Sequence, residues 1–417
     1  TGKMSGDLAN VALMEPMYPD ARPEFEDAVL ELSSEASGFA QQLNPTLRKT
    51  VGDLVRTMNC YYSNLIEGHN TELVAIERAM RNDYSTDLKK RNLQIEAKAH
   101  IEVQAFIDHG QMPFAPTSEA GIRWIHREFC SRLPPELLEI TGDGMTVTMT
   151  PGDLRHAYVK IGDHVPPAPE HLEAYLKRFE EAYTSRMIGK VQKVIGVGAA
   201  HHRLAYIHPF FDGNGRVTRL VSHAMYRDLG TRSELWSISR GLARDVDQYK
   251  ALLAIADRDR QGSRDGRGNL TEDGLFRFSK FFLDTALDQV RFMRDLLQIR
   301  GLLDRVEIWT EEEIKAKRLP KGSFSLLREA ILVGEFPRGA APTLTNYQER
   351  QARSVLTALV DRNLLVSDHP RGDVRLGIPA YVVERWFPSL YQPRHASAPT
   401  SDQDAEETST AGNGFGR

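Results

Sequence analysis

The sequence predicts a mainly α-helical fold, interrupted by one β-hairpin and followed by a small C-terminal α/β module. Three observations carry this. Apolar residues recur at intervals of three and four through most of residues 23–303, the mark of helices with one buried face. Between 141 and 169 the period switches to two. Beyond 304, short helical patterns precede two brief aliphatic runs separated by a turn.

Composition bounds the rest. At 417 residues the chain is long enough for two or three domains. It holds no run of about 18 apolar residues, and its start pairs no charged region with an apolar one. The expectation is a soluble, cytoplasmic protein with no membrane contact. Cys60 and Cys130 lie inside helical patterns, so neither a disulfide framework nor a zinc site is expected. A net charge of −4 with 26% charged residues gives no global attraction to nucleic acid. Any such binding must be local.

Residues 1–21, with Gly2, Gly6, Pro16 and Pro19, show no lasting period and are expected to wander or lie over the surface. From 23 to 43, Phe25, Val29, Leu32, Ala36 and Phe39 share one helix face, and Asn44-Pro45 ends it. The next stripe, from Leu47 through Leu54, Met58 and Tyr62 to Ile66, is a long helix with Gly68 where a C-terminal cap belongs. In its last turn Ser63 and Glu67 stand four apart on one face. Taken alone, that is a solvated helix end. Helices follow near 72–80, 88–109 and 118–133, and His126 on the inner face of the third reads as a satisfied core histidine.

Residues 145–149 alternate with period two, Pro151-Gly152 turns the chain, and residues 157–161 are expected to return as the second strand before Gly162-Asp163. A lone hairpin has unpaired edges, which suggests a docking surface. Pro166-Pro167-Ala168-Pro169 then gives a stiff exit into a helix at 171–183.

The densest chemistry lies at 208–219, which read H-P-F-F-D-G-N-G-R-V-T-R. Helical patterns flank it, so it is a loop between two helices, the second starting near Asn214 or Gly215. Free backbone N–H groups at a helix start, with glycines that let a ligand approach, make an anion site suited to phosphates. Arg216 and Arg219, three apart, can point at one polyphosphate. Asp212 offers a hard oxygen for Mg²⁺, and His208 can take a proton from a hydroxyl. Histidine, acid, cradle and arginines together suit phosphoryl or nucleotidyl transfer.

The string resembles the core motif of the Fic (filamentation-induced-by-cAMP) family, H-x-F-x-[DE]-[AG]-N-[GK]-R-x-x-R, at every position. The resemblance implies a helical fold that transfers AMP from ATP, with Mg²⁺, onto a Ser, Thr or Tyr hydroxyl of a target protein. It makes His208 the catalytic base and Asp212 the metal ligand. Gly213, Asn214, Gly215, Arg216 and Arg219 hold the phosphates, and Phe210, in the same set, anchors the loop. It also implies that Ser63, Glu67 and Gly68 form an inhibitory helix end in which Glu67 reaches Arg219. Tyr158, Val159, Lys160, Ile161 and Gly162 fall where the family has its target-docking flap, which adds a strand from the target.

After the motif, Ser237 to Arg240 lead into a helix with Tyr249, Leu252 and Leu253, residues 258–274 are a solvated loop, and 275–303 one more helix. Two helices near 311–318 and 323–333, a helix at 348–362 and a hairpin of 364–366 and 374–376 around 369–373 resemble a winged helix. Arg350 and Arg353 point outward, but residues 321–394 carry only a modest positive charge, so the module binds either DNA or a protein. The expected organisation is an N-terminal segment 1–45, a Fic domain 46–303 with inhibitory helix 46–68 and flap 145–165, a winged-helix-like domain 304–391 and a disordered tail 392–417. Alternatives are a relative that removes AMP or uses another nucleotide, and a DNA-binding regulator with a nucleotide-sensing Fic domain. A homodimer is left open.

Overall fold

The computed structural model describes residues 14–142 and 145–391. Helix α1 (Pro23–Gln42) opens with proline, whose missing N–H costs nothing there, and with Glu24 and Glu26, which favour the positive end of the helix dipole. Its neighbour α2 (Pro45–Ile66) is capped by Asn44, which accepts from Leu47 N at 2.8 Å. Then come α3 (Leu73–Met80), α4 (Leu88–Asp108), capped by Asp87, and α5 (Glu119–Cys130), capped by Ser118. These match the expected helices closely, because the apolar period runs through each and a side-chain cap marks the start of α2, α4 and α5.

Strands β1 (Glu139–Gly142) and β2 (Met145–Thr148) form an antiparallel pair, with Ile140 opposite Val147. This corrects the expected hairpin. Residues 145–148 pair backwards with 139–142, whereas 157–161 stay outside any ladder and make a single bridge, Ile161 to His164, around Gly162-Asp163. A period-two pattern shows that a strand exists but does not name its partner.

Helices α6 (Leu172–Tyr183), α7 (Lys190–Ile207), α8 (Asn214–Asp228), α9 (Ile238–Arg244), α10 (Val246–Ala256) and α11 (Glu272–Leu296) complete the first part. At its centre α7 packs against α1, α6, α8 and α11. It is buried almost all round, with His201, His202 and Arg203 inside, so its sequence alternates little between faces. The expected single helix over 275–303 breaks at Leu297-Gln298, where no glycine or proline marks the change, and α12 (Ile299–Lys315) begins.

A three-stranded antiparallel sheet of order β3-β5-β4 follows, built from β3 (Glu335–Phe336), β4 (Leu365–Val366) and β5 (Val374–Leu376). Around it lie α13 (Ser323–Leu332), α14 (Ala341–Thr345), α15 (Glu349–Asp361) and α16 (Ala380–Trp386). The expected boundary at 303/304 falls inside α12.

One apolar cluster holds residues from Met14 to Tyr391, and a small second one joins Cys60, Ile76, Ala97 and Ile101. Residues 14–21 do not wander. Met14 and Met17 are buried, and Tyr183 donates to the Met17 carbonyl at 2.5 Å. At the other end the chain returns to α2. Asn44 Nδ2 donates to Ile331 O (2.9 Å), Tyr62 Oη donates to Leu390 O (2.7 Å), and the Tyr391 ring packs against Tyr61 and Tyr62. The two ends of the chain that were expected to be loose, residues 1–13 and 392–417, lie outside the described residues. No helix among the described residues is long and apolar enough to cross a membrane.

Candidate active site

Pro209 cannot continue α7, and the helix ends with His208 in the left-handed region at φ 48°, ψ 63°. Gly213, also left-handed at φ 78°, turns the chain into α8 without a side-chain cap, so the amides of the first turn of α8 face the site. Between them Asn214 acts as a rung. Its Oδ1 accepts from Phe210 N and its Nδ2 donates to Phe210 O, both at 2.9 Å. Phe210 is fully buried and lies flat on the His126 ring, centroids 3.8 Å apart. Phe210 thus anchors the loop, and the Asn214 amide braces it.

His126 is satisfied, as expected of a core histidine. Gly152 N donates to its Nδ1 at 2.8 Å, so the ring proton sits on Nε2, which faces the Asp212 carbonyl at 3.3 Å. Burial pushes its pKa down to about 4, which keeps it neutral.

The end of α2 meets this loop. Gly68 adopts φ 80°, His69 N bonds Asn64 O (2.9 Å) and Gly68 N bonds Leu65 O (3.0 Å), a helix stop that leaves Glu67 pointing across to α8. Arg219 donates from Nε to Ser63 Oγ (2.9 Å) and from Nη2 to Glu67 Oε1 (2.5 Å). A Cβ on Gly215 would stand 2.3 Å from that same Glu67 oxygen. Glycine is therefore required at 215 for the carboxylate to lie against the helix start. Glu67 thus occupies the place an anion would take between a guanidinium and the amides of α8.

The two arginines do not converge. Arg216 donates to Glu96 Oε2 at 2.7 Å, its Nη2 also lies 2.9 Å from His69 Nδ1, and its guanidinium lies over the Phe129 ring. Sequence reasoning missed Glu96. The signal available was a run of polar residues, Gln94, Glu96, His100 and Gln104, on buried positions of α4. Burial by itself would raise the Glu96 carboxyl, but Arg216 and the His69 ring outweigh it and hold it below its ordinary value.

A lowered folded-state value means that the charged form stabilises the fold above the ordinary carboxylate range, and that this stabilisation is lost as pH falls through the lowered value. Glu96→Gln should cost about 3 kcal/mol at neutral pH, because Arg216 keeps its buried charge without a full partner. Its stability should also fall less steeply in acid than that of the parent. Urea unfolding at stepped pH measures both, and identical acid limbs would remove Glu96 from the account.

Asp212 Oδ1 accepts from Gly213 N at 2.6 Å. One side of the residue is open to solvent, yet crowding by protein pushes its pKa up. Arg216 and the Gly213 amide pull it down, and Glu67 and Glu96 add to the rise. Among the described residues no group of three or more His, Cys, Asp or Glu side chains could hold a metal. A single carboxylate beside an anion cradle still fits Mg²⁺, which takes one or two carboxylates and fills its shell with phosphate oxygens and water.

Beside His208 lies a narrow cleft, with Ile161, Ala205 and Leu253 as apolar walls and Tyr249, His164 and Asp257 as polar ones. Residues 157–167, without helix or ladder strand, arch along the cleft and give it Ile161 and His164, with Tyr158 and Lys160 exposed, Val159 half-buried and Ile161 buried. The arch is rooted by Arg155, which carried no mark in the sequence reading.

Residues 116–226 match the family model described as Fic/DOC family. The protein adenylyltransferase Fic of Drosophila yakuba is 38% identical over 201 residues, covering 48% of this chain and 38% of that protein. That of Nematostella vectensis is 28% identical over 176 residues, covering 41% and 37%. The chain thus spans about two-fifths of the length of these relatives. A Fic family protein from Desulfovibrio desulfuricans G20, solved by crystallography, superposes with a TM-score of 0.52 over 88% of this chain and 99% of that one at 16% identity, a likeness of fold. The motif, the mainly helical fold and these matches agree, and residues 116–226 are a domain of the Fic/DOC family.

Proposed function

We propose that this protein transfers AMP from ATP to a hydroxyl of a target protein and that Glu67 holds it off. One observation carries the reading: the Glu67 carboxylate is seated on Arg219 and over Gly215, at the anion site beside His208. In the released enzyme the ATP phosphates take that place and the nucleoside fills the cleft. His208 accepts the proton as the target oxygen bonds to the α-phosphorus, and diphosphate leaves as the α–β bridging bond breaks. Mg²⁺ held by Asp212 would offset the charge of the departing phosphates.

Residues 158–160, which pair with no strand, suit strand addition, in which main-chain bonds hold the target and its own shape decides specificity. Residues 304–391 enter the proposal as a protein-docking module, because Arg353 on α15 already faces Glu349 at 3.6 Å and the helix offers little free positive charge.

The test is to incubate the protein with Mg²⁺, ATP and candidate targets and to weigh each for added AMP. No AMP on any protein, with Glu67→Gly included, would overturn the reading. Asp212→Ala should abolish turnover at every Mg²⁺ concentration tried. Full turnover restored by ordinary Mg²⁺ would give the metal role to another residue.

A further inference from the structure

Arg155 is buried, 2% exposed, and its four side-chain hydrogen bonds all end on backbone carbonyls. Nε donates to His208 O at 2.8 Å and Nη2 to Ile207 O at 3.4 Å. Nη1 donates to Ala157 O at 3.1 Å and Nη2 also to Pro167 O at 2.5 Å. Its own N–H bonds Pro209 O at 2.9 Å. A buried guanidinium without a carboxylate is costly, and burial lowers its pKa to about 10. What offsets the cost is the C-terminus of α7, whose last carbonyls are unpaired within the helix and carry the negative end of its dipole.

The carbonyls of Ile207 and His208 belong to the two peptide planes on either side of the His208 Cα. Holding both with one rigid, planar group sets φ and ψ of His208 together. That matters because His208 is left-handed at φ 48°, a conformation that residues with side chains rarely adopt. The other edge of the same group holds Ala157 and Pro167, the two feet of the arch over the cleft.

We infer that Arg155 is a positioning residue for the transfer: its guanidinium fixes the backbone of His208 and both feet of the arch of residues 157–167, so that base and docked hydroxyl keep one distance. The inference rests on the proposed function. Lysine cannot replace it, since a single ammonium cannot span four carbonyls in one plane. Arg155 itself touches none of the groups assigned to the phosphates, because its side-chain bonds go to the carbonyls of Ala157, Pro167, Ile207 and His208.

The experiment places Arg155→Lys and Arg155→Ala in a Glu67→Gly parent and measures target modification, ATP affinity and melting temperature. Expected is a fall of roughly 10²-fold in kcat with a raised KM for the target, and ATP affinity close to that of the parent. Added guanidinium should restore Arg155→Ala at least in part, a rescue that a merely destabilised fold would not show. Unchanged transfer in both variants, or ATP affinity falling in step with rate, would overturn the inference. One readout is independent of turnover: the ring NMR signal of His208, identified by its loss in His208→Gln, should shift or broaden in Arg155→Lys. An unmoved His208 signal would sink the inference even if the parent transferred no AMP, whereas an inactive parent with a moved signal would sink only the adenylyl-transfer reading.

Discussion

Glu67→Gly should raise modification of the protein itself and of its targets by roughly 10²-fold while changing ATP affinity far less. The carboxylate takes the Arg219 Nη2 hydrogen bond at 2.5 Å and lies against Gly215, so the outer phosphates of ATP lose both a guanidinium and the start of α8. ATP can still be held by the cleft, with its α-phosphate turned from the line of attack. Glycine removes the competitor and leaves the Ser63 Oγ contact to keep Arg219 in place at 2.9 Å. The same group must then hold the phosphate, so Glu67→Gly with Arg219→Ala should not recover the rate of Glu67→Gly alone. AMP incorporation by mass spectrometry, compared across the three proteins, decides it. A single variant no faster than the parent, on itself and on a lysate, would end the inhibitory reading of Glu67 and return residues 63–68 to an ordinary helix end.

His208→Ala, made in the Glu67→Gly background, should lower transfer by about 10²–10⁴-fold, the range for losing a positioned general base. The fold should survive, since the loop is held by Asn214 on Phe210, by Phe210 on His126 and by Arg155 on the backbone of residue 208, none of which uses the imidazole. Alanine at a left-handed position adds a modest strain. Titration with ATP should give an affinity close to that of the parent, because the imidazole is needed for the proton and not for the phosphates. A folded variant that transfers AMP at the parental rate would take His208 out of the mechanism.

Much of this was open to a reader of the sequence. Most of the helices from α1 to α8 show in the apolar period, and some in caps or stops, which are local: Asn44, Ser118 and Gly68 each act within four residues of themselves. The chemistry of residues 208–219 is equally local, a string of side chains on one turn, and so are the residue types of the end of α2. That Glu67 meets Arg219 came from a family resemblance, and the structure brings the two together.

What only the tertiary structure decided are pairings between segments far apart in the chain. The strand 145–148 could have turned forwards or backwards, and packing chose 139–142. Arg216 needed a carboxylate, and Glu96 supplies it from 120 residues away. Nothing around Leu390 announces that its carbonyl will receive the Tyr62 hydroxyl, one residue from Ser63. Arg155 looks like one more surface charge until α7 ends against it and offers carbonyls in place of an acid. Propensity and periodicity report energies within a few residues of one another, whereas a buried charge takes whichever partner the fold delivers, and in this chain those partners assemble the site.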